Sequence, residues 1–219
     1  MKLPEELQFI ANARMHQKTT TSRMDGKVCV VTGSTSGVGY QAVKRLAQGG
    51  ADIVMVCRNT QKANAIRDEL QFQYQINIDV IQADFSKFSD VRNAADIIRI
   101  QYPKIDVLIN NAGVHYTHRT LNNDSIEMVF AVNHLASFLF TRLLLDKLIE
   151  NAPTRIIQVN SQGHRFGGLD LDDLNWEKRH YQGLKSYGAS KIAQLLTVWE
   201  LSDRLNGSVT LTMTVTSAS

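Results

Sequence analysis

Thr32-Gly33-Ser34-Thr35-Ser36-Gly37-Val38-Gly39 follows a β-branched run, Lys27–Thr32, and opens a segment with apolar residues at helical spacing, Val38–Gln48. A glycine-rich turn between a strand and a helix sets backbone N–H groups at a helix N-terminus, where a dinucleotide pyrophosphate can meet them. Gly33 is expected to allow the tight turn, Gly37 to let the pyrophosphate approach the backbone, and Gly39 to let helix and strand pack closely. An ordinary strand-to-helix turn also holds glycine, so the strand before and the helix after carry as much of the reading as the glycines do.

Outward from this loop, short β-branched runs alternate with longer helical patterns, the signature of a parallel sheet covered on both faces. Strands are predicted at Lys27–Thr32, Asp52–Val56, Ile76–Gln82, Asp106–Asn110, Arg155–Asn160 and Val209–Val215. Helices are predicted near Val38–Gln48, Gln61–Tyr74, Asp90–Tyr102, Ile126–Glu150 and Tyr187–Leu205. This is an α/β chain with a Rossmann-type doubly wound parallel sheet, a single domain over 24–219, and an N-terminal extension over 1–23.

The chain has 219 residues, 43% hydrophobic, with 13 glycines and 3 prolines, enough for one sizeable core. A net charge of +3, from 24 basic and 21 acidic residues evenly spread, argues against nucleic acid as a partner. Cys29 and Cys57 lie in apolar runs and read as small core residues, consistent with a reducing cytoplasm. No stretch is expected to approach the ~20 apolar residues of a membrane-spanning helix. His115 and His118 stand without a matching cluster of Cys, His or carboxylates, so no metal is expected.

About 20 residues past the loop, a free ribose hydroxyl favours Asp or Glu and a 2′-phosphate favours a nearby Arg. The chain offers Cys57 and Arg58 there, so NADP(H) is the preferred cofactor and NAD(H) the alternative. Asp84, at the end of the third strand, is placed either to border an adenine edge or to cap a turn. Farther on, Tyr187 and Lys191 are four residues apart and share one helical face, which sets an ammonium beside a phenol. A free tyrosine, with a pKa near ~10, is a poor base at neutral pH, and an adjacent cation favours its phenolate. Ser161, at the end of the fifth strand, faces the ligand crevice of such sheets and can hydrogen-bond a substrate oxygen.

Thr-Gly-x-x-x-Gly-x-Gly from Thr32, Asn110-Asn111-Ala112-Gly113, Asn133, Ser161 and Tyr187-x-x-x-Lys191 together resemble the short-chain dehydrogenase/reductase family, over nearly Lys27 to Val215. Val56-Cys57-Arg58-Asn59, Val132-Asn133-His134-Leu135 and the separation of Ser161 from Tyr187 look like its retinol-dehydrogenase-like branch. The resemblance implies Tyr187 as acid/base and Ser161 as the residue orienting the substrate oxygen. It further implies that Lys191 holds the nicotinamide ribose and that Asn133 positions a relay water. Asn111, Ala112 and Gly113 would border the adenine ribose, and Ser34, Thr35, Ser36 and Val38 would complete the cofactor loop.

The resemblance thus implies an alcohol/carbonyl oxidoreductase for a small, lipophilic molecule. After the sixth strand the family runs into a Pro-Gly turn, a substrate-covering segment and a last strand, whereas this sequence ends Thr216-Ser217-Ala218-Ser219. A sheet without lid or last strand is therefore expected, with NADP(H) binding and little turnover as the alternative reading. The helices near 126–150 and 187–205 offer apolar faces for a homodimer. Trp176, Tyr181 and Phe166, in the connection Gln162–Ser186, either wall a lipophilic pocket or cover the sheet edge.

Overall fold

The computed structural model describes residues 20–205, 207 and 209–216, so most of the predicted extension lies outside the described residues. Six parallel strands, β1 (Val28–Thr32), β2 (Asp52–Cys57), β3 (Ile78–Gln82), β4 (Val107–Asn110), β5 (Thr154–Ser161) and β6 (Val209–Thr216), form one sheet in the order β3-β2-β1-β4-β5-β6. The long helical segments between them are α1 (Gly37–Gly49), α2 (Thr60–Tyr74), α3 (Phe88–Gln101), α4 (Met128–Glu150) and α5 (Gly183–Leu205), with a short 3-10 helix, Gln162–Phe166, between β5 and α5. The Rossmann-type sheet is the predicted one.

Alternate strand residues go to opposite covers. Cys29, Val31, Ile53, Met55 and Ile109 pack under Val43 and Ala47 of α1 and Ile66 and Leu70 of α2. Val30, Val54, Leu108 and Ile156 pack under Ile98 of α3 and Phe140, Leu144 and Leu148 of α4. Burial on both faces is why these strands are continuous apolar runs. Both cysteines are free and buried. The chain reverses its direction of growth at β1, which pairs with β2 on one side and β4 on the other, and a crevice opens at the carboxyl ends of the two strands.

Most element ends differ from the expected ones by a residue or two, and two differences matter more: α5 begins at Gly183, four residues before the expected Tyr187, and the helix before β5 is irregular. The helix near Ile126–Glu150 is not one regular α-helix: Ala131–Ala136 is a π turn containing Asn133, followed by an α-helical stretch, Ser137–Glu150. Its start is set by Glu127, whose carboxylate accepts from Val129 N at 3.1 Å and Phe130 N at 2.8 Å. This helix also corrects the expectation about membrane spans. With 23 residues and an 18-residue window of mean hydropathy 1.6 it is long and apolar enough to cross a membrane, although Phe140, Leu144 and Leu148 are fully buried against the sheet. At the other end of the chain, Met24 N donates to Gly49 O at 2.8 Å, and Arg45 reaches the Thr20 carbonyl, so residues 20–24 lie along the end of α1.

Candidate active site

A cleft of about 820 Å³ runs along the carboxyl ends of the strands. One end is built from backbone. Gly33 and Gly37 take positive φ, +63° and +53°, and a Cβ placed on Gly37 would meet nothing within 4 Å, so this glycine serves the turn's conformation rather than its packing. A Cβ on Gly39 would lie 2.3 Å from Gly33 O, so this glycine keeps α1 close beneath the loop. Helix α1 has no side-chain N-cap bond and no acidic residue in its first turn, which leaves its terminal N–H groups for an anion. These features fit a dinucleotide pyrophosphate.

The loop is stapled to β4 through Thr32 and Asn111. Thr32 Oγ1 accepts from Asn111 N and Ala112 N, both at 3.0 Å, and Asn111 Nδ2 donates to the carbonyls of Thr32 and Gly33, also at 3.0 Å. Gly33, Thr35, Ser36, Val38, Asn111, Ala112 and Gly113 line the cleft. Ser34 is fully buried and, like Gly37 and Gly39, stands outside the lining. Arg58 is exposed on the rim and, among the described residues, makes no ion pair. Asp84 borders the cleft and also caps its turn, accepting from Ser86 N at 2.9 Å and Ser86 Oγ at 2.8 Å.

The other end is built from side chains. The Tyr187 ring lies so close to Gly163 that a Cβ there would come within 2.7 Å of it, and the same Cβ would be 3.5 Å from Ser161 Oγ. Glycine at 163 thus lets phenol and serine sit side by side. Ser161 is nearly buried and outside the cleft lining; its Oγ accepts from Gly163 N at 3.1 Å and its N donates to Asn160 Oδ1 at 2.6 Å. Asn160 Nδ2 in turn donates to Lys191 O at 2.9 Å, which ties the end of β5 to α5. Lys191 Nζ stands 5.5 Å from the centre of the Tyr187 ring and donates to Val159 O and Gln194 Oε1, each at 3.0 Å. Burial disfavours its charged form and brings the ammonium down to about 8.

Asn133 is fully buried, and its side chain is engaged by the protein. Oδ1 accepts from Val114 N at 2.8 Å, and Nδ2 donates to Val114 O and Ser190 Oγ, each at 3.1 Å. Asn160, Ser190 and Gln194 were not singled out in the sequence, although Gln194 gives a readable sign: a polar residue three positions after Lys191 on the buried face of α5. His115, for which no metal role is expected, meets the Tyr187 ring edge-on at 5.8 Å and lines the cleft. His134 lies instead between Phe130 and Phe138, and burial alone lowers its imidazole to about 4. Trp176 and Tyr181 build neither pocket wall nor sheet edge: Tyr181 donates to Glu127 Oε1 at 3.0 Å, and Arg179 stacks 3.8 Å over Trp176. Phe166 is half exposed.

A Rossmann sheet with a nucleotide loop at one end of its cleft and a Ser-Tyr-Lys cluster at the other defines a class, and comparison with known proteins gives the same one. The family model for short chain dehydrogenases matches residues 27–172, and the chain belongs to that family. It falls in the retinol-dehydrogenase-like branch. Human retinol dehydrogenase 13 is 40% identical over 184 residues, 84% of this chain and 56% of the relative. Human retinol dehydrogenase 11 is 39% identical over 198 residues, 90% of this chain and 62% of the relative. A crystal structure of an uncharacterized protein from Mycobacterium paratuberculosis superimposes with a TM-score of 0.76 at 34% identity, over 87% of this chain and 67% of that one. The chain therefore spans about three-fifths of the length of the curated relatives it matches.

Proposed function

We propose that this chain is an NADP(H)-dependent oxidoreductase that interconverts an alcohol and a carbonyl on a small lipophilic substrate, with Tyr187 as acid/base. The observation that carries this reading is the placement of the Tyr187 ring against Gly163, beside Ser161 and 5.5 Å from the Lys191 ammonium, in a cleft whose far end is the glycine loop. The nicotinamide cofactor, when bound, supplies or takes up the hydride. Tyr187 gives a proton to the carbonyl oxygen in reduction and removes one from the alcohol in oxidation. Ser161 Oγ orients that oxygen, and Lys191 sets a positive charge beside the phenol as negative charge develops on it.

Arg58 supports the choice of NADP(H). An exposed guanidinium on the rim, without a carboxylate partner among the described residues, is free to clasp a 2′-phosphate in a bidentate pair. Val114, Tyr116, Met128 and Leu184 give the cleft an apolar wall, which supports a lipophilic substrate. The relatives named as retinol dehydrogenases point to the same class of molecule.

The test is a panel of retinoid, aliphatic and aromatic carbonyls offered with NADPH or NADH, with cofactor oxidation followed by absorbance. The expected outcome is turnover of apolar carbonyls with NADPH preferred. NADPH binding with no turnover of any member of the panel would contradict the reading and leave a nucleotide-binding protein in its place.

A further inference from the structure

Helix α5 carries Gln194 three residues after Lys191, so the two side chains leave the same face, and Gln194 is only 2% exposed. A buried primary amide destabilises the fold unless both its ends are bonded. In this helix each end is bonded to a different part of the site. Oε1 accepts from Lys191 Nζ at 3.0 Å, and Nε2 donates to the backbone carbonyl of Asn133.

That carbonyl is accessible because of the π turn. The Ser137 N–H, which a regular α-helix would direct to Asn133 O, goes to His134 O. Asn133 O accepts instead from Ser137 Oγ, at 2.9 Å, and from Gln194. The side chain of Asn133 is already engaged by Val114 and Ser190, so the carbonyl is the group it offers towards Lys191. Of the three donors of the ammonium, one goes to Val159 O and one to Gln194, leaving the third for the cleft that Lys191 lines.

We propose that Gln194 is a positioning residue of this site: its amide joins the Lys191 ammonium to the Asn133 carbonyl of the π turn and fixes the direction in which the ammonium faces the cleft. An amide has one donor end and one acceptor end in a fixed sense, so it holds the ammonium as a cation rather than exchanging protons with it. The proposal rests on the oxidoreductase reading for its catalytic consequence and on the hydrogen bonds alone for its structural one.

The test separates the two. In the full chain carrying lysine labelled with carbon-13 at Cε, the Lys191 resonance is identified by its loss in Lys191→Arg and titrated by NMR. Gln194→Met keeps the volume but removes the acceptor, and its Lys191 midpoint is expected to fall below that of the wild type. Gln194→Glu puts a carboxylate beside the ammonium, and its midpoint is expected to rise by about one pH unit. In NADPH-dependent carbonyl reduction, Gln194→Met is expected to lower kcat roughly 10–100-fold through misplacement of Lys191. Its KM for the carbonyl should stay within about twofold, the pattern of a lost transition-state interaction. The pH profile of kcat should move in the same direction as the Lys191 midpoint. An unchanged midpoint in both variants would overturn the proposal, and if Gln194→Met fails to fold, the rise or its absence in Gln194→Glu decides. Opposite midpoint shifts with no carbonyl turnover by the wild type would uphold the link and sink the oxidoreductase reading.

Discussion

The two ends of the cleft are made of different material. At the nucleotide end the groups left free are mostly backbone, an uncapped helix N-terminus behind two glycines at positive φ, joined by the side chain of a rim arginine without an ion-pair partner among the described residues. At the tyrosine end they come from buried side chains that hold one another, with Asn133, Ser161, Lys191 and Gln194 all at or below 5% exposure. The N-termini of α2 and α4 sharpen the contrast, since Asn59 and Glu127 cap them and take the N–H groups that α1 leaves free. On the proposed function, a ligand would be held where the protein leaves polar groups unsatisfied, and proton chemistry would be placed where it satisfies nearly all of them.

Four variants probe that division. Lys191→Met belongs to the tyrosine end and reaches towards the cofactor, so it should lower turnover by roughly 10²–10⁴-fold and weaken NADPH binding as well. Loss of turnover with unchanged NADPH affinity would confine Lys191 to the proton chemistry. Second, His134 is neutral in its buried place, with its pKa lowered to about 4 from the ordinary 6.5. The unfolded chain binds the extra proton first, so stability should fall as pH drops from 6.5 towards 4, by at most about 3 kcal/mol. Denaturant titrations of wild type and His134→Gln across that window check it, and equal slopes would remove His134 as the cause.

Third, Arg58→Ala should cost roughly 1.5–3 kcal/mol of NADPH affinity, the scale of a charge-assisted hydrogen bond, and leave NADH nearly untouched. Equal losses for the two cofactors would place the 2′-phosphate elsewhere. The smallest effect is expected at Thr32, whose hydroxyl accepts from two backbone N–H groups. Thr32→Val should lower stability by about 1–3 kcal/mol, and weaken both cofactors alike by loosening the loop. A change in thermal midpoint without any change in affinity would show that the staple serves the fold alone.

Much of this arrangement was legible in the residues. The alternation of β-branched runs and helical spacing sets the sheet, and the glycine loop falls at the crevice beside β1 and β4 because strand ends and helix starts are local signals. Tyr187 and Lys191 could be paired by helical spacing. The π turn could not: Ile126–Glu150 keeps its apolar periodicity through residues 131–136, and an inserted turn changes hydrogen bonding more than hydrophobic pattern. The burial of Ser34 is not readable either, because spacing puts a hydroxyl in the loop without saying which way it points. The link from Lys191 through Gln194 to Asn133 joins residues 61 positions apart at its second step, beyond the reach of any local pattern, although a lone glutamine on a buried stripe marks one end of it. The cluster of Trp176, Arg179, Tyr181 and Glu127 shows the opposite case, in which aromatic residues read as a possible pocket wall are spent on capping a helix.

The division of labour between the two ends is tested most directly by Tyr187→Phe, measured twice on the same preparation. The ring stays, so packing against Gly163 and the contact with Lys191 should persist, and only the hydroxyl is lost. NADPH affinity, followed by tryptophan quenching, should remain within about twofold of wild type while carbonyl reduction falls by roughly 10²–10⁴-fold. If reduction continues at the wild-type rate, Tyr187 is not the acid/base. If affinity and turnover fall together, the two ends of the cleft do not work separately and the division of labour between them is contradicted.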